Sequence, residues 1–311
     1  MYRSILVPLD GSPFAEYAVP AAVAIARRAG GVIHLVHVHE RLLIAETIDP
    51  VNRRLARKEE AEYLSAVEAQ ATADGEVRVH AHLLRGAVVP KILGQARRCG
   101  ADLVVMTTHG RGGLSRLWLG STADELLRRS EFPVLLIRPG EDTPPAEAEP
   151  SFRNVLVPLD GSPLAEQILP HAIGMARLFG GRLTLLRVAR AGPSFGYPSV
   201  PLGVPLEPPD AAEAKRYLDG MADRLRGEGL EAGTLVARNP VPARAIAEYA
   251  EANAVDLIAL ATHGRGGLSR LVLGSTADKV IRGCMVPVLV YRPRPERRVE
   301  QGAEQGLETR L

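Results

Sequence analysis

Thr108-His-Gly-Arg-Gly-Gly-Leu-Ser-Arg-Leu-Trp-Leu-Gly-Ser-Thr-Ala-Asp124 returns later in the chain as Thr262-His-Gly-Arg-Gly-Gly-Leu-Ser-Arg-Leu-Val-Leu-Gly-Ser-Thr-Ala-Asp278, identical at 16 of 17 positions, with Trp118 against Val272. Each copy follows an apolar run, Ala101-Asp-Leu-Val-Val-Met106 or Val255-Asp-Leu-Ile-Ala-Leu260, that reads as a strand buried on both faces of a parallel sheet. The stretch therefore sits at the carboxyl end of a strand, the edge where open α/β sheets bind ligands. Gly110, Gly112 and Gly113, with Gly264, Gly266 and Gly267, allow positive φ and let a ligand approach the main chain. Further on, Gly120-Ser121-Thr122 and Gly274-Ser275-Thr276 open a helix. Its unpaired N–H groups and two hydroxyls suit a phosphate.

Working outward, Ile5-Leu-Val-Pro-Leu-Asp-Gly-Ser-Pro13 also returns, as Val155-Leu-Val-Pro-Leu-Asp-Gly-Ser-Pro163, identical at eight of nine positions. The chain is a tandem duplication. Each copy opens with a short apolar strand ending in Asp-Gly-Ser. Ser12 or Ser162 then reads as an N-cap with Pro13 or Pro163 at the first helical position. An amphipathic helix follows and stops at Gly30-Gly31 or Gly180-Gly181. A second strand comes at once, Val32 to Val38 or Arg182 to Val188, giving a right-handed βαβ unit.

The copies then diverge. A charged helix is expected around Val51 to Ala71, whereas the second copy carries a proline-rich stretch, Gly192 to Pro209, before a helix from Asp210 to Gly227. That stretch reads as an extended loop near the ligand edge, either a cover for the second site or a plain insertion. Third strands (Val77 to Leu84; Gly233 to Ala237), helices (Pro90 to Cys99; Pro242 to Asn253), the fourth strands with their repeated loops, and fifth strands (Pro133 to Ile137; Pro287 to Tyr291) complete each copy. The order β-α-β-α-β-α-β-α-β predicts two tandem, doubly wound, five-stranded parallel-sheet α/β domains. Their bounds are residues 1–141 and 151–293, with a polar linker at 142–150 and a disordered tail at 294–311.

Composition excludes several classes. Net charge is +2, from 38 Lys and Arg against 36 Asp and Glu, so no footprint for nucleic acid or an anionic membrane is visible. No run approaches the ~20 apolar residues of a membrane span, and the N-terminal apolar run, cut by Pro8 and Asp10, is too short for a signal peptide. A cytoplasmic protein is expected. Cys99 and Cys284 fall at non-equivalent places, which supports neither a disulfide nor a metal site. His37-x-His39 and His80-x-His82 each put two imidazoles on one strand face, but the second copy has Arg187 and Ala189 opposite the first pair. No metal site is expected.

These separated motifs together resemble the universal stress protein family, specifically its tandem two-domain, ATP-binding members. The signature of that branch is Gly-x2-Gly-x9-Gly-Ser/Thr after the fourth strand, with an aspartate ending the first. Here Gly110-x9-Gly120-Ser121 and Gly264-x9-Gly274-Ser275 fit, while Thr107 and Ala261 replace the first glycine. The resemblance implies that Asp10 and Asp160 accept hydrogen bonds from ribose hydroxyls beside Pro8, Leu9, Pro158 and Leu159. Val38 and Val188 would hold the adenine, with Met106 and Leu260 lining the same slot. His109, Gly110, Gly120, Ser121 and Thr122, with His263, Gly264, Gly274, Ser275 and Thr276, would surround the phosphates. Arg111, Arg116, Arg265 and Arg270 are placed to add positive charge near the γ-phosphate.

The expected ligand is ATP, with or without Mg2+, and the expected role is that of a nucleotide-dependent regulatory or stress-response protein with an unidentified protein partner. The two copies are expected to pair within the chain through their fifth strands, and a homodimer is a further expectation. The alternatives are a scaffold of the same family that binds no nucleotide, or a slow ATPase. Ser-Gly-Gly-x-Asp-Ser and His-x-Gly-His, the loops of related nucleotide enzymes, do not occur, and no nucleophile or general-base constellation is present.

Overall fold

Asp102 ties the start of the first strand to the start of the fourth. Its carboxylate accepts the main-chain N–H groups of Arg3 and Ser4 at 3.0 and 3.1 Å, and its own N–H donates to the Ser4 carbonyl at 2.9 Å. Asp256 does the same in the second copy, accepting from Arg153 and Asn154 at 3.0 and 2.8 Å. The Asp of each Ala/Val-Asp-Leu run thereby sets the register of two neighbouring parallel strands, so that their carboxyl ends finish together. These relationships come from a computed structural model, which describes residues 1–40, 50–108, 119–138, 149–189, 209–262 and 273–292. The repeated glycine loops, the linker, the proline-rich stretch and the tail fall wholly or largely outside them.

The first copy runs β1 (Ser4–Leu9), α1 (Pro13–Glu16), α2 (Ala18–Ala29), β2 (Val32–His39), α3 (Pro50–Ala71), β3 (Arg78–Arg85), α4 (Val88–Arg98), β4 (Leu103–Thr107), α5 (Ser121–Arg129) and β5 (Val134–Ile137). The second runs β6 (Asn154–Pro158), α6 (Pro163–Glu166), α7 (Leu169–Phe179), β7 (Arg182–Ala189), α8 (Pro209–Gly227), β8 (Ala232–Arg238), α9 (Pro242–Ala252), β9 (Leu257–Ala261), α10 (Ser275–Gly283) and β10 (Val288–Tyr291). Where the sequence predicts one helix up to Gly30, the structure has two, because Tyr17 breaks α1 from α2. Pro20 lacks the N–H that would bond back to residue 16, and its ring crowds that carbonyl. Pro170 produces the same break after Glu166. Gly30 and Gly180 close α2 and α7 in the left-handed conformation, at φ 61° and 59°, where a side chain would be strained.

Within each copy the strands are parallel, and across the molecule they form one ten-stranded sheet in the order β3-β2-β1-β4-β5-β10-β9-β6-β7-β8. The two halves meet where β5 and β10 pair antiparallel, with Leu136 opposite Val288, Leu135 opposite Leu289 and Val134 opposite Val290. The fifth strands therefore join as the family resemblance implies. Apolar side chains of the sheet divide between two cores, each running through both copies. One, under α2, α3, α7 and α8, holds Ile5, Val7, Leu9, Val155, Val157 and Leu159. The other, under α4, α5, α9 and α10, holds Leu6, Val36, Met106, Leu156, Leu186 and Leu260.

Contacts across the two halves add to the shared sheet. Tyr2, fully buried at φ 62°, donates its hydroxyl to the His171 carbonyl at 2.9 Å. Arg138 donates to the carbonyls of Ile281 and Arg282 at 2.8 and 3.0 Å, and Arg282 lies 3.8 Å from Asp124.

Candidate functional site

In each copy the strand order reverses between the first and fourth strands: the chain winds outward from β1 to β2 and β3, then returns to β4 and β5 on the other side. In open α/β sheets such a reversal is where the ligand crevice lies, outside the carboxyl ends of the strands. β1 delivers Asp10 to this point and β4 delivers Thr107.

Asp10 is set by its own turn. Gly11 at φ 83° reverses the chain, and Asp10 Oδ1 then accepts the Ser12 N–H at 2.9 Å and the Ser12 hydroxyl at 2.6 Å. Ser12 Oγ in turn accepts the Ala15 N–H at 3.3 Å and caps α1. The second copy repeats this with Gly161 at φ 81°, Asp160 and Ser162, at 2.9 and 2.6 Å. Each aspartate is thus part of a helix start as well as a candidate ligand group.

On the other side of the crevice, β4 ends with the Thr108 N–H donating to the Ile137 carbonyl at 3.0 Å, and the Thr108 carbonyl accepts the Gly120 N–H at 2.8 Å. The two ends of the glycine-rich loop are thereby pinned together at the mouth of α5. Thr262 and Gly274 repeat the closing bond at 2.8 Å. Gly120 and Gly274 are the N-cap residues of α5 and α10, with φ −58° in both, and among the described residues no side-chain hydrogen bond caps either helix. The contrast with Ser12, which caps its own helix, is direct. The first-turn N–H groups of α5 and α10 carry the positive end of the helix dipole.

The remaining expected residues sort by face. Val38 packs against the core that contains Met106, Leu119 and Ala123, and Val188 packs against the same core as Leu260, Leu273 and Ala277. Leu9 and Leu159 point into the opposite core, which leaves only their main chain toward the crevice, and the Leu159 N–H is already given to Leu186 at 2.7 Å. Pro8 and Pro158 are partly exposed, Thr107 is buried, and Ala261 is partly exposed. Ser121, Ser275 and Thr276 are exposed and Thr122 half-buried. His109, Gly110, His263 and Gly264 lie outside the described residues, as do Arg111, Arg116, Arg265 and Arg270.

Sequence reasoning missed what stands beside each site on the opposite face of β2 and β7. In the first copy His39 Nδ1 lies 2.8 Å from Glu60 Oε1, His37 Nε2 lies 3.6 Å from the same oxygen, and the Tyr63 ring meets His37 edge-on. In the second, the buried Arg187 lies over the Tyr217 ring at 5.4 Å and 3.9 Å from Glu213, while the Tyr217 hydroxyl donates to Glu166 at 2.8 Å. Burial first, then the Glu166 carboxylate, pushes the Tyr217 phenol above its ordinary range. The signal was available: His37 and Arg187 occupy equivalent places in the duplication, and so do Tyr63 and Tyr217. The two copies thus differ in the basic side chain at this place, His37 in the first and Arg187 in the second.

No helix among the described residues is long and apolar enough to cross a membrane. The model of the Universal stress protein family matches residues 1–138 and again residues 151–292. A universal stress protein of Mycolicibacterium smegmatis is 29% identical over 301 residues, covering 93% of this chain and 97% of that one. One from Thermus aquaticus is 36% identical over 143 residues, 44% of this chain and 100% of its own. The crystal structure of a universal stress protein from Archaeoglobus fulgidus superimposes with a TM-score of 0.71 at 21% identity, covering 94% of this chain and 99% of that chain. Two family matches in tandem, over the two halves of one continuous sheet, make this chain a member of the universal stress protein family.

Proposed function

We propose that each half binds one ATP at its β1/β4 crevice and that nucleotide occupancy regulates what the protein does in a stress response. The observation that carries this reading is the start of α5 and α10, each led by a glycine and following the strand that pairs with the one ending in the Asp-Gly-Ser turn. A triphosphate would complete the helix start with charge-assisted hydrogen bonds. Asp10 and Asp160 would accept from the ribose, and Val38 with Met106, or Val188 with Leu260, would flank the base. Mg2+ would accompany the phosphates through their own oxygens. No nucleophile or general base is assigned, so the role is binding, with at most slow hydrolysis.

The test is to purify the chain, release bound small molecules by denaturation and identify them by mass spectrometry. An adenine nucleotide near two per chain supports the reading. A folded protein that carries none and takes up none when ATP is added favours the scaffold reading, to which the buried side chain of Thr107, at the place of a family glycine, lends its weight.

A further inference from the structure

We propose that His34, His80 and His82 form a site for a divalent transition-metal ion of the zinc type, on the first half only. Read along the sequence, His80-x-His82 supplies two imidazoles and no third. The register of β2 and β3 supplies it. His34 stands opposite His80 in the parallel ladder, and His82 is two residues further along the same strand, on the same face. Three imidazoles therefore project together from two adjacent strands.

Their spacing fits shared coordination. His34 Nδ1 and His82 Nε2 are 3.1 Å apart, and the His34 ring centroid lies 5.6 Å from that of His80 and 5.4 Å from that of His82. Two nitrogens bound to one tetrahedral zinc at about 2.0–2.1 Å stand about 3.3 Å apart. The His34–His82 pair already has the separation of two ligands. At present one of these nitrogens donates to the other. A metal ion would take the place of that proton, which moves to the other nitrogen of its ring, so both imidazoles stay neutral.

As the side chains stand, no three His, Cys, Asp or Glu among the described residues are arranged to hold a metal. The change required is a rotation of His80, which is exposed. The fourth position would face solvent and take water, as in sites with three protein ligands.

Three imidazoles select ions such as Zn2+, Ni2+ or Cu2+ over Mg2+ and Ca2+, which prefer oxygen. The equivalent places in the second half, by the same register, are Thr184, Gly233 and Leu235, which cannot ligate such an ion. His82 stands opposite Val36, two residues before Val38 on the same face of β2, so the site lies on the amino side of the expected adenine position.

Zn2+ titration calorimetry on the full chain without an affinity tag tests this, with circular dichroism to verify the fold of each variant. One Zn2+ per chain is expected. His80→Ala and His82→Ala should each weaken binding by at least about tenfold, while His39→Ala, from the other His-x-His pair, should leave it unchanged. His80 is exposed, so its variant separates loss of a ligand from loss of fold. Absence of Zn2+ uptake by the wild type would overturn the proposal. So would affinity that survives both His80→Ala and His82→Ala, or that disappears with His39→Ala.

Discussion

Asp10 Oδ1 accepts two hydrogen bonds from Ser12, from its main-chain N–H at 2.9 Å and from its hydroxyl at 2.6 Å. The carboxylate proposed to hold a ribose thus also builds the turn that starts α1, and the two roles are separable by substitution. Asparagine keeps an oxygen that can accept both bonds, whereas alanine keeps none. Asp10→Asn should leave the unfolding free energy within about 1 kcal/mol of wild type, yet weaken ATP binding at the first site by ~1–3 kcal/mol, the loss for a hydrogen bond to a charged acceptor. Asp10→Ala should lose stability as well. Paired denaturation and binding measurements on both variants check this, and equal effects of the two substitutions would contradict it.

Asp256 accepts two main-chain N–H groups at the amino end of the sheet, far from the crevice. Asp256→Ala should lower stability by about 2 kcal/mol, since charged hydrogen bonds contribute ~1.5–3 kcal/mol each and these are partly solvated. ATP stoichiometry should not change. Urea denaturation gives the first quantity and calorimetry the second.

Much of this architecture was legible in the sequence because the chain states it twice. Apolar runs ending in Asp-Gly-Ser or in the glycine loop mark buried strands, and the structure pairs β1, which leads into Asp10, with β4, which ends at Thr107. What escaped notice depends on through-space register. Nothing local tells that His34 stands opposite His80, because the pairing of β2 with β3 is decided by how the long α3 crossover returns. The break at Tyr17 was encoded locally, in Pro20, but a proline early in a helix also reads as a tolerated first-turn residue. The alternation of Leu9 into the core opposite Val38 follows from which face of each strand the helices cover, which a motif does not carry.

Stability should fall on acidification below about pH 6.5, with His171 among the causes. Burial holds His171 below its ordinary value, with Asp102 opposing, and burial and neighbouring imidazoles do so for His34 and His82. Each group has a lower pKa folded than unfolded, so between the two values the unfolded chain binds more protons and acid favours it. Above the unfolded value of about 6.5 these groups are neutral in both states and contribute no pH dependence. His171 packs 4.6 Å from the Tyr291 ring, and the equivalent residue of the first copy is Ala21. His171→Ala should be less stable at neutral pH through lost packing, but should lose less on going from about pH 7.5 to about pH 5.5. Urea midpoints at the two pH values check the difference.

Leu289 is fully buried opposite Leu135 in the antiparallel ladder that joins the halves. Leu289→Ala should destabilise the protein by about 2–5 kcal/mol. Because the ladder is shared, amide hydrogen exchange should accelerate in β5 as well as in β10. Acceleration confined to β10 would mean that the halves do not depend on each other.

The central claim, two ATP sites each organised by its own glycine-led helix start, is tested most directly by isothermal titration of ATP into the wild type, Gly120→Val and Gly274→Val. Both glycines have φ −58°, a value valine adopts without strain, so a loss would come from the side chain holding the phosphate away from the main chain. The expected result is two ATP per wild-type chain and one in each variant, the remaining site unchanged in affinity. A folded wild type that gives no binding heat, or valine variants that still bind two, would contradict it.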